Sequence, residues 1–166
     1  GLPFGRYHYT DTLFPHVLGV PLVMAGAWMV LFAYVRHMTG SPWVAAAWMT
    51  AIDLVIDPLA VNALNYWSWE NTGLYYGIPW TNFAGWFIVS LVLFALARKR
   101  PQPSPHLPWL GLSVILFFVL IAWGTGLRLA GTVGLGLVIL HAARMCPAVR
   151  RFAGSKFSGR PASPPR

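Results

Sequence analysis

Two carboxyls sit where the sequence should carry none. Asp53 and Asp57 interrupt the otherwise apolar stretch Trp43–Ala63 and account for half of the chain's four acids, the others being Asp11 and Glu70. A spacing of four puts them on one helix face, about one turn apart. The same stretch holds no Lys or Arg that could pair with them. Desolvation and mutual repulsion favour the neutral form of at least one member of such a pair. A carboxyl that keeps its proton near neutral pH is a proton donor. The plainer alternative is that the two brace neighbouring helices through hydrogen bonds, but two acids are a costly way to build a brace.

Three further features bear on the same chemistry. Asn82 and Trp86 share one face of the next apolar run, and a buried Asn needs polar partners, for which the aspartates are candidates. Between the runs lies the dense aromatic string Tyr66-Trp67-Ser68-Trp69-Glu70, followed by Tyr75, Tyr76 and Trp80. Such rings make an interfacial belt, and they also make walls for a long flat polyene. Glu70 reads either as a surface acid beside that belt or as a third carboxyl of the site. The five histidines do not form a metal set. His16 and His141 fall at opposite ends of the apolar segments, so each could ligate only a chlorophyll-type magnesium alone, and a lone helix histidine is more commonly structural. His8, His37 and His106 lack metal-ligand spacing. No phosphate loop, nucleophile elbow or CxxC motif occurs.

The elements that must hold these residues are membrane helices. The chain of 166 residues is 57% hydrophobic and 10% charged, against about 45–50% and 25% for a soluble domain. Crossing a bilayer takes about 20 apolar residues, and five segments qualify: 17–35, 43–63, 80–97, 107–127 and 129–146. Ala130/Gly134 and Thr132/Gly136 in the fifth are small pairs suited to close helix packing. The expected fold is all-α, a polytopic integral membrane bundle of about five helices followed by a flexible basic tail, 147–166. The net charge of +8 does not indicate nucleic acid, because the cations cluster between apolar runs. Ten of them (Arg36, Arg98, Lys99, Arg100, Arg144, Arg150, Arg151, Lys156, Arg160, Arg166) fall on one side of a five-span topology. Only Arg6 and Arg128 fall on the other. The positive-inside rule then places the tail in the cytoplasm and the N-terminus outside, in what we expect to be a bacterial inner membrane. One cysteine, Cys146, excludes an internal disulfide.

The motif Asp53-Leu-Val-Ile-Asp57-Pro58, then Tyr66-Trp67-Ser68-Trp69-Glu70, then Tyr76-Gly-Ile-Pro-Trp-Thr-Asn82-Phe-Ala-Gly-Trp86 resembles the CruF-type carotenoid biosynthesis membrane protein family. The opening Gly1–Thr10, Gly19-Val20-Pro21 and Ala27-Trp28 are similar in order; helices four and five agree only in hydropathy. The resemblance implies a cofactor-independent hydro-lyase that adds water to the terminal 1,2 double bond of an acyclic carotenoid, giving a tertiary alcohol. It implies Asp53 or Asp57 as acid, with the other carboxyl or Glu70 positioning water. Substrate contacts then fall to Tyr66, Trp67, Trp69, Tyr76, Asn82 and Trp86. Family members carry further helices ahead of the segment matching Gly1. The chain then reads either as a fragment or as a shortened relative, and a shortened relative suggests a second reading: a non-catalytic subunit of a photosynthetic complex, holding carotenoid or chlorophyll-type pigment beside other membrane subunits and lipid. A transporter using the aspartates as a proton relay is a third reading, and it lacks a visible repeat.

Overall fold

Each helix begins and ends where local chemistry dictates. In the computed structural model, which describes residues 3–97 and 104–145, α1 spans Leu22–Met38, α2 Pro42–Asn62, α3 Trp80–Leu96, α4 Leu107–Gly124 and α5 Arg128–Met145. Ser41 caps α2, its Oγ accepting from the Val44 N–H at 3.4 Å, and Pro42 takes the first helical position, where its missing N–H would have been unpaired anyway. α4 stops at a Schellman turn. Gly126 takes φ +79°, while Leu127 N–H bonds Ala122 O at 2.8 Å and Gly126 N–H bonds Trp123 O at 3.2 Å. That left-handed residue ends the helix three residues before the expected limit and folds α5 back on α4. The basic run Arg98–Lys99–Arg100, Cys146 and the tail 147–166 lie outside the described residues.

The first helix starts five residues later than the apolar run from Val17 suggests. His16–Val17 (β2) and Val20–Pro21 (β3) instead form an antiparallel hairpin, with His16 opposite Pro21. Both turn residues have positive φ, Leu18 at 51° and Gly19 at 78°, the type I′ geometry that matches strand twist. A second ribbon pairs Tyr7–Tyr9 (β1) with Trp67–Trp69 (β4), Tyr7 opposite Trp69 and Tyr9 opposite Trp67. Among the described residues the five expected helices are present, joined by two short ribbons that the all-α expectation did not include. By length and composition α2 and α4 are apolar enough to cross a membrane, whereas α1 and α3 are shorter apolar helices of 17 residues.

α2 is the centre of the bundle and packs against all four other helices. Its Pro58 lacks the N–H that would bond Leu54 O, and the freed carbonyl accepts instead from Tyr75 Oη at 2.8 Å. Burial, then the neighbouring Tyr76 and Asp53, pushes the Tyr75 phenol up to about 12, so it stays a donor. α1 and α3 meet through rings: Trp28 stacks on Trp86 with centroids 4.1 Å apart, and Phe32 on Phe94 at 4.5 Å. Arg36 of α1 donates to Ala97 O at the end of α3, a site favourable to a cation. Of the two small-residue pairs in α5, Ala130 and Gly134 are buried, Gly134 against Val55 and Val119, while Gly136 faces open space.

Gly111 shows the same logic on α4, since a Cβ there would lie 2.0 Å from the Tyr34 ring. Gly111→Ala should therefore destabilise the protein by about 1–3 kcal/mol through overpacking. Gly136→Ala should be neutral or stabilising, as expected for an uncrowded helical glycine. Denaturation of the two variants in detergent checks the contrast, and equal midpoints would contradict the packing.

Candidate functional site

Asp53 and Asp57 both point into the protein, each 1% exposed. One residue joins them. Asn82 of α3, 3% exposed, donates from Nδ2 to Asp53 Oδ2 at 2.7 Å and to Asp57 Oδ2 at 2.6 Å, so both hydrogens of its amide are used. Asp57 Oδ1 accepts from Trp67 Nε1 at 2.7 Å. Asp57 thus receives two hydrogen bonds and Asp53 one. No ion pair between described residues involves either aspartate. The cluster is two carboxyls solvated only by neutral donors, an arrangement that is expensive to bury without a purpose.

The carboxyls border a cavity of about 460 Å³. α2 supplies Asp53, Ile56 and Asp57, α3 supplies Asn82, Trp86, Val89 and Leu93, and α1 supplies Met24, Trp28 and Leu31. The roof is the β1–β4 ribbon. Side chains alternate along a strand, so Tyr7 and Tyr9 share one face with their partners Trp69 and Trp67, and all four rings line the cavity. The rings brace one another, Tyr7 to Trp69 at 5.0 Å and Tyr9 to Trp67 at 5.9 Å. Burial first, then the adjoining Tyr7, pushes the Tyr9 phenol up, so it remains neutral. The opening segment closes one side: Phe4 lies where a Cβ on Gly85 would meet it at 2.7 Å, and Thr81 Oγ1 donates to Phe4 O at 3.0 Å.

The structure brings together Asp53, Asp57, Asn82, Trp67, Trp69 and Trp86. The other three expected site residues lie elsewhere. Glu70 follows the ribbon with outward parity, accepts from or donates to nothing in the cavity, and meets His8 Nε2 at 2.8 Å and Arg6 at 3.9 Å on the surface. Tyr76 Oη accepts from the Leu129 and Ala130 N–H groups at 3.0 and 3.4 Å, capping α5. Tyr66 borders an adjoining apolar groove of about 670 Å³ between α1, α2 and α4, which shares Trp67 with the cavity. Tyr7, Tyr9 and Trp28 belong to the wall without having been expected there. The signal for the tyrosines was the Tyr-His-Tyr alternation, which mirrors Trp-Ser-Trp.

Among the described residues no three His, Cys, Asp or Glu gather as a metal site would require. His141, the candidate for pigment ligation, is 1% exposed with both ring nitrogens engaged. Nε2 meets Pro108 O at 2.7 Å, which must accept, so Nδ1 is the acceptor for Tyr34 Oη at 2.9 Å. Trp48 Nε1 completes the chain by donating to Tyr34 Oη at 3.0 Å. An axial magnesium bond at His141 would have to break one of these contacts. His16 lies in the β2–β3 hairpin rather than on α1.

Residues 1–143 match the family described as carotenoid biosynthesis protein. The chain is 31% identical to the bisanhydrobacterioruberin hydratase of Haloarcula japonica over 86% of this chain and 54% of the relative, and so spans about half that relative's length. No solved structure matches it significantly.

Removing the amide that joins the carboxyls leaves two buried acceptors short of a donor. Asn82→Leu should destabilise the protein by at least about 1–3 kcal/mol, measured as a lowered melting temperature in detergent. A melting temperature equal to wild type would mean that Asn82 does not hold the pair.

Proposed function

Since the chain belongs to the family of carotenoid biosynthesis proteins, we propose that it is a carotenoid hydratase, adding water across the terminal 1,2 double bond of an acyclic carotenoid end to give a tertiary alcohol. The observation that carries the proposal is the buried Asp53–Asn82–Asp57 cluster opening on an aromatic-walled cavity. Hydration of an isolated alkene needs three things: a proton donor, a surface that tolerates a carbocation, and a placed water. The cluster and its walls supply residues for each.

Hydrogen bonds to a carboxylate favour its ionised form. Asp57 takes two and Asp53 one, so we assign the proton to Asp53 and the anion to Asp57. Asp53 gives its proton to C2, the less substituted alkene carbon, and the π electrons form the new C–H bond. The positive charge is left on tertiary C1, beside the faces of the stacked Trp28–Trp86 pair. Aromatic faces attract a desolvated cation by about 2 kcal/mol or more. Water oxygen then bonds to C1 and loses a proton to Asp57. The pair ends each turnover with the proton count it began with, so no cofactor is consumed. Glu70, paired with His8 and Arg6, has no part in these steps.

The same reading places the chain in a membrane. The substrate is a hydrocarbon, α2 and α4 are long and apolar enough to span, and Met29, Val92, Leu96, Phe117, Leu120 and Ile139 are exposed large apolar side chains suited to lipid. The ten-to-two distribution of cations orients the C-terminus to the cytoplasm. A reporter that functions only in the cytoplasm should be active when fused after Arg166 and inactive when fused before Gly1; the reverse result would invert the topology.

Expression in a host that accumulates an acyclic carotenoid should yield the tertiary alcohol. Asp53→Asn and Asp57→Asn, checked for membrane insertion, should each lower the rate by about 100-fold or more, the range for loss of a general acid or base. Glu70→Gln should leave it near wild type. Unmodified carotenoid co-purifying with the protein, and no alcohol formed, would sink the hydratase reading in favour of a pigment-holding one.

A further inference from the structure

One buried polar atom of the cavity-lining residues has no hydrogen-bond partner and no place in this scheme. Trp69 Nε1 is buried and meets no acceptor in hydrogen-bond geometry. Buried donors are nearly always satisfied, and an exception needs an explanation. The ring is held from two sides. Trp69 pairs with Tyr7 across the ribbon and packs on its ring at 5.0 Å. A Cβ on Gly5 would lie 3.5 Å from its six-membered ring. Trp67, two residues earlier on the same strand face, points its own indole N–H at Asp57 Oδ1 at 2.7 Å. The Trp69 N–H faces the same carboxyl without reaching hydrogen-bond geometry. The two indoles are therefore not equivalent: one bonds Asp57 directly, and the other acts on the same carboxyl from outside hydrogen-bond geometry, free to take a further acceptor.

Resting on the hydratase reading, we propose that Trp69 is a positioning residue for the attacking water: its indole N–H donates to the water oxygen while Asp57 accepts from that water. A water capturing a tertiary cation must present an oxygen lone pair to carbon and have somewhere to send a proton. Asp57 supplies the acceptor. A carboxylate alone lets the water rotate about that one contact, and a second contact, a donor to oxygen, fixes where the remaining lone pair points. Trp69 supplies it without offering a competing base. In balance, the C1–O bond forms, one O–H bond of the water breaks and its proton goes to Asp57, while the Trp69 N–H keeps its hydrogen throughout. The role differs from that of Trp28 and Trp86, which meet the cation with their faces.

The distinction can be read because a cation that is not captured goes back. In D2O, protonation of C2 delivers deuterium, and loss of hydrogen from the cation returns a labelled alkene. Trp69→Phe keeps an aromatic ring and removes the N–H. With the full chain in vesicles and an acyclic carotenoid, it should lower kcat for the alcohol by about 100-fold, the scale for loss of one preorganised donor. KM should be unchanged, and the ratio of deuterium in recovered alkene to alcohol formed should rise. If Trp69→Phe does not fold, benzothienylalanine at position 69, which keeps the bicyclic shape and replaces N–H by sulfur, is measured in its place. An unchanged kcat overturns the proposal. So does a fall in alcohol with a parallel fall in labelling, since Trp69 would then act before the cation forms. Wild-type protein that forms neither alcohol nor labelled alkene sinks the hydratase reading itself, and this one with it.

Discussion

The fold is organised around two carboxyls that have no cation beside them among the described residues. A buried acid normally ends beside an Arg or Lys, and the pair then behaves as structure. Here the compensation is a single amide and a single indole, all neutral. That choice keeps the carboxyls chemically available, and it dictates much around them. Asn82 must come from a neighbouring helix at the right height, which brings α3 against α2. The Trp67 indole must come from above, which requires a strand rather than a helix over the pair. Pro58 follows Asp57 directly, and the carbonyl it frees is taken by Tyr75 from the same connecting segment. The segment between α2 and α3 is thus fastened at both ends by the needs of the helix turn that carries the aspartates.

Much of this was legible in the order of residues. A spacing of four put Asp53 and Asp57 on one face, and the same periodicity put Asn82 with Trp86, so both faces followed from helical geometry, while the aspartates were only candidate partners for Asn82. Helix number was equally plain, because apolar length is a strong signal. The ribbon was not legible. Its two strands are three residues each and lie about sixty positions apart, so neither could announce itself by local pattern. Without the ribbon, Glu70 could be read either as a surface acid or as a third carboxyl of the site. The pairing gives it the opposite parity from Trp67 and Trp69, and parity alone sends it to the surface with His8 and Arg6. The start of α1 was obscured for a related reason: Leu18-Gly19 is a turn made of an apolar residue and a glycine, and it reads as continuous with the helix it precedes.

The other end of the bundle answers polarity in a different way. Trp48, Tyr34, His141 and the Pro108 carbonyl form one directed chain in which each donor has an acceptor. It ties α1, α2, α4 and α5 together, and Gly111 lets the Tyr34 ring come close to α4. A network closed in this way has no polar valence left for a ligand. The aspartate end is open by the same measure, since Asp53 uses one oxygen only and the Trp69 N–H is unspent. Both networks are buried and both are aromatic-rich, but only one has unsatisfied capacity facing a cavity.

That contrast bears on how water would be admitted to the proposed hydration, whose intermediate would react with any nucleophile. The walls around the carboxyls are rings and aliphatic side chains, so bulk water gains nothing by entering. A molecule of water can be held only where polar valence remains, as it does at Asp53, Asp57, Trp69 and the Tyr7 and Tyr9 hydroxyls. The roof carrying Trp69 is two short strands, a weak element on its own, yet its four inward rings pack on one another and on the cavity wall. Rigidity of the roof then comes from ring packing rather than from the ladder. A site built this way limits the number of waters by wall chemistry and orients the one it admits by the few polar atoms left open. In the proposed hydration, capture of the cation and exclusion of side reactions become consequences of the same geometry.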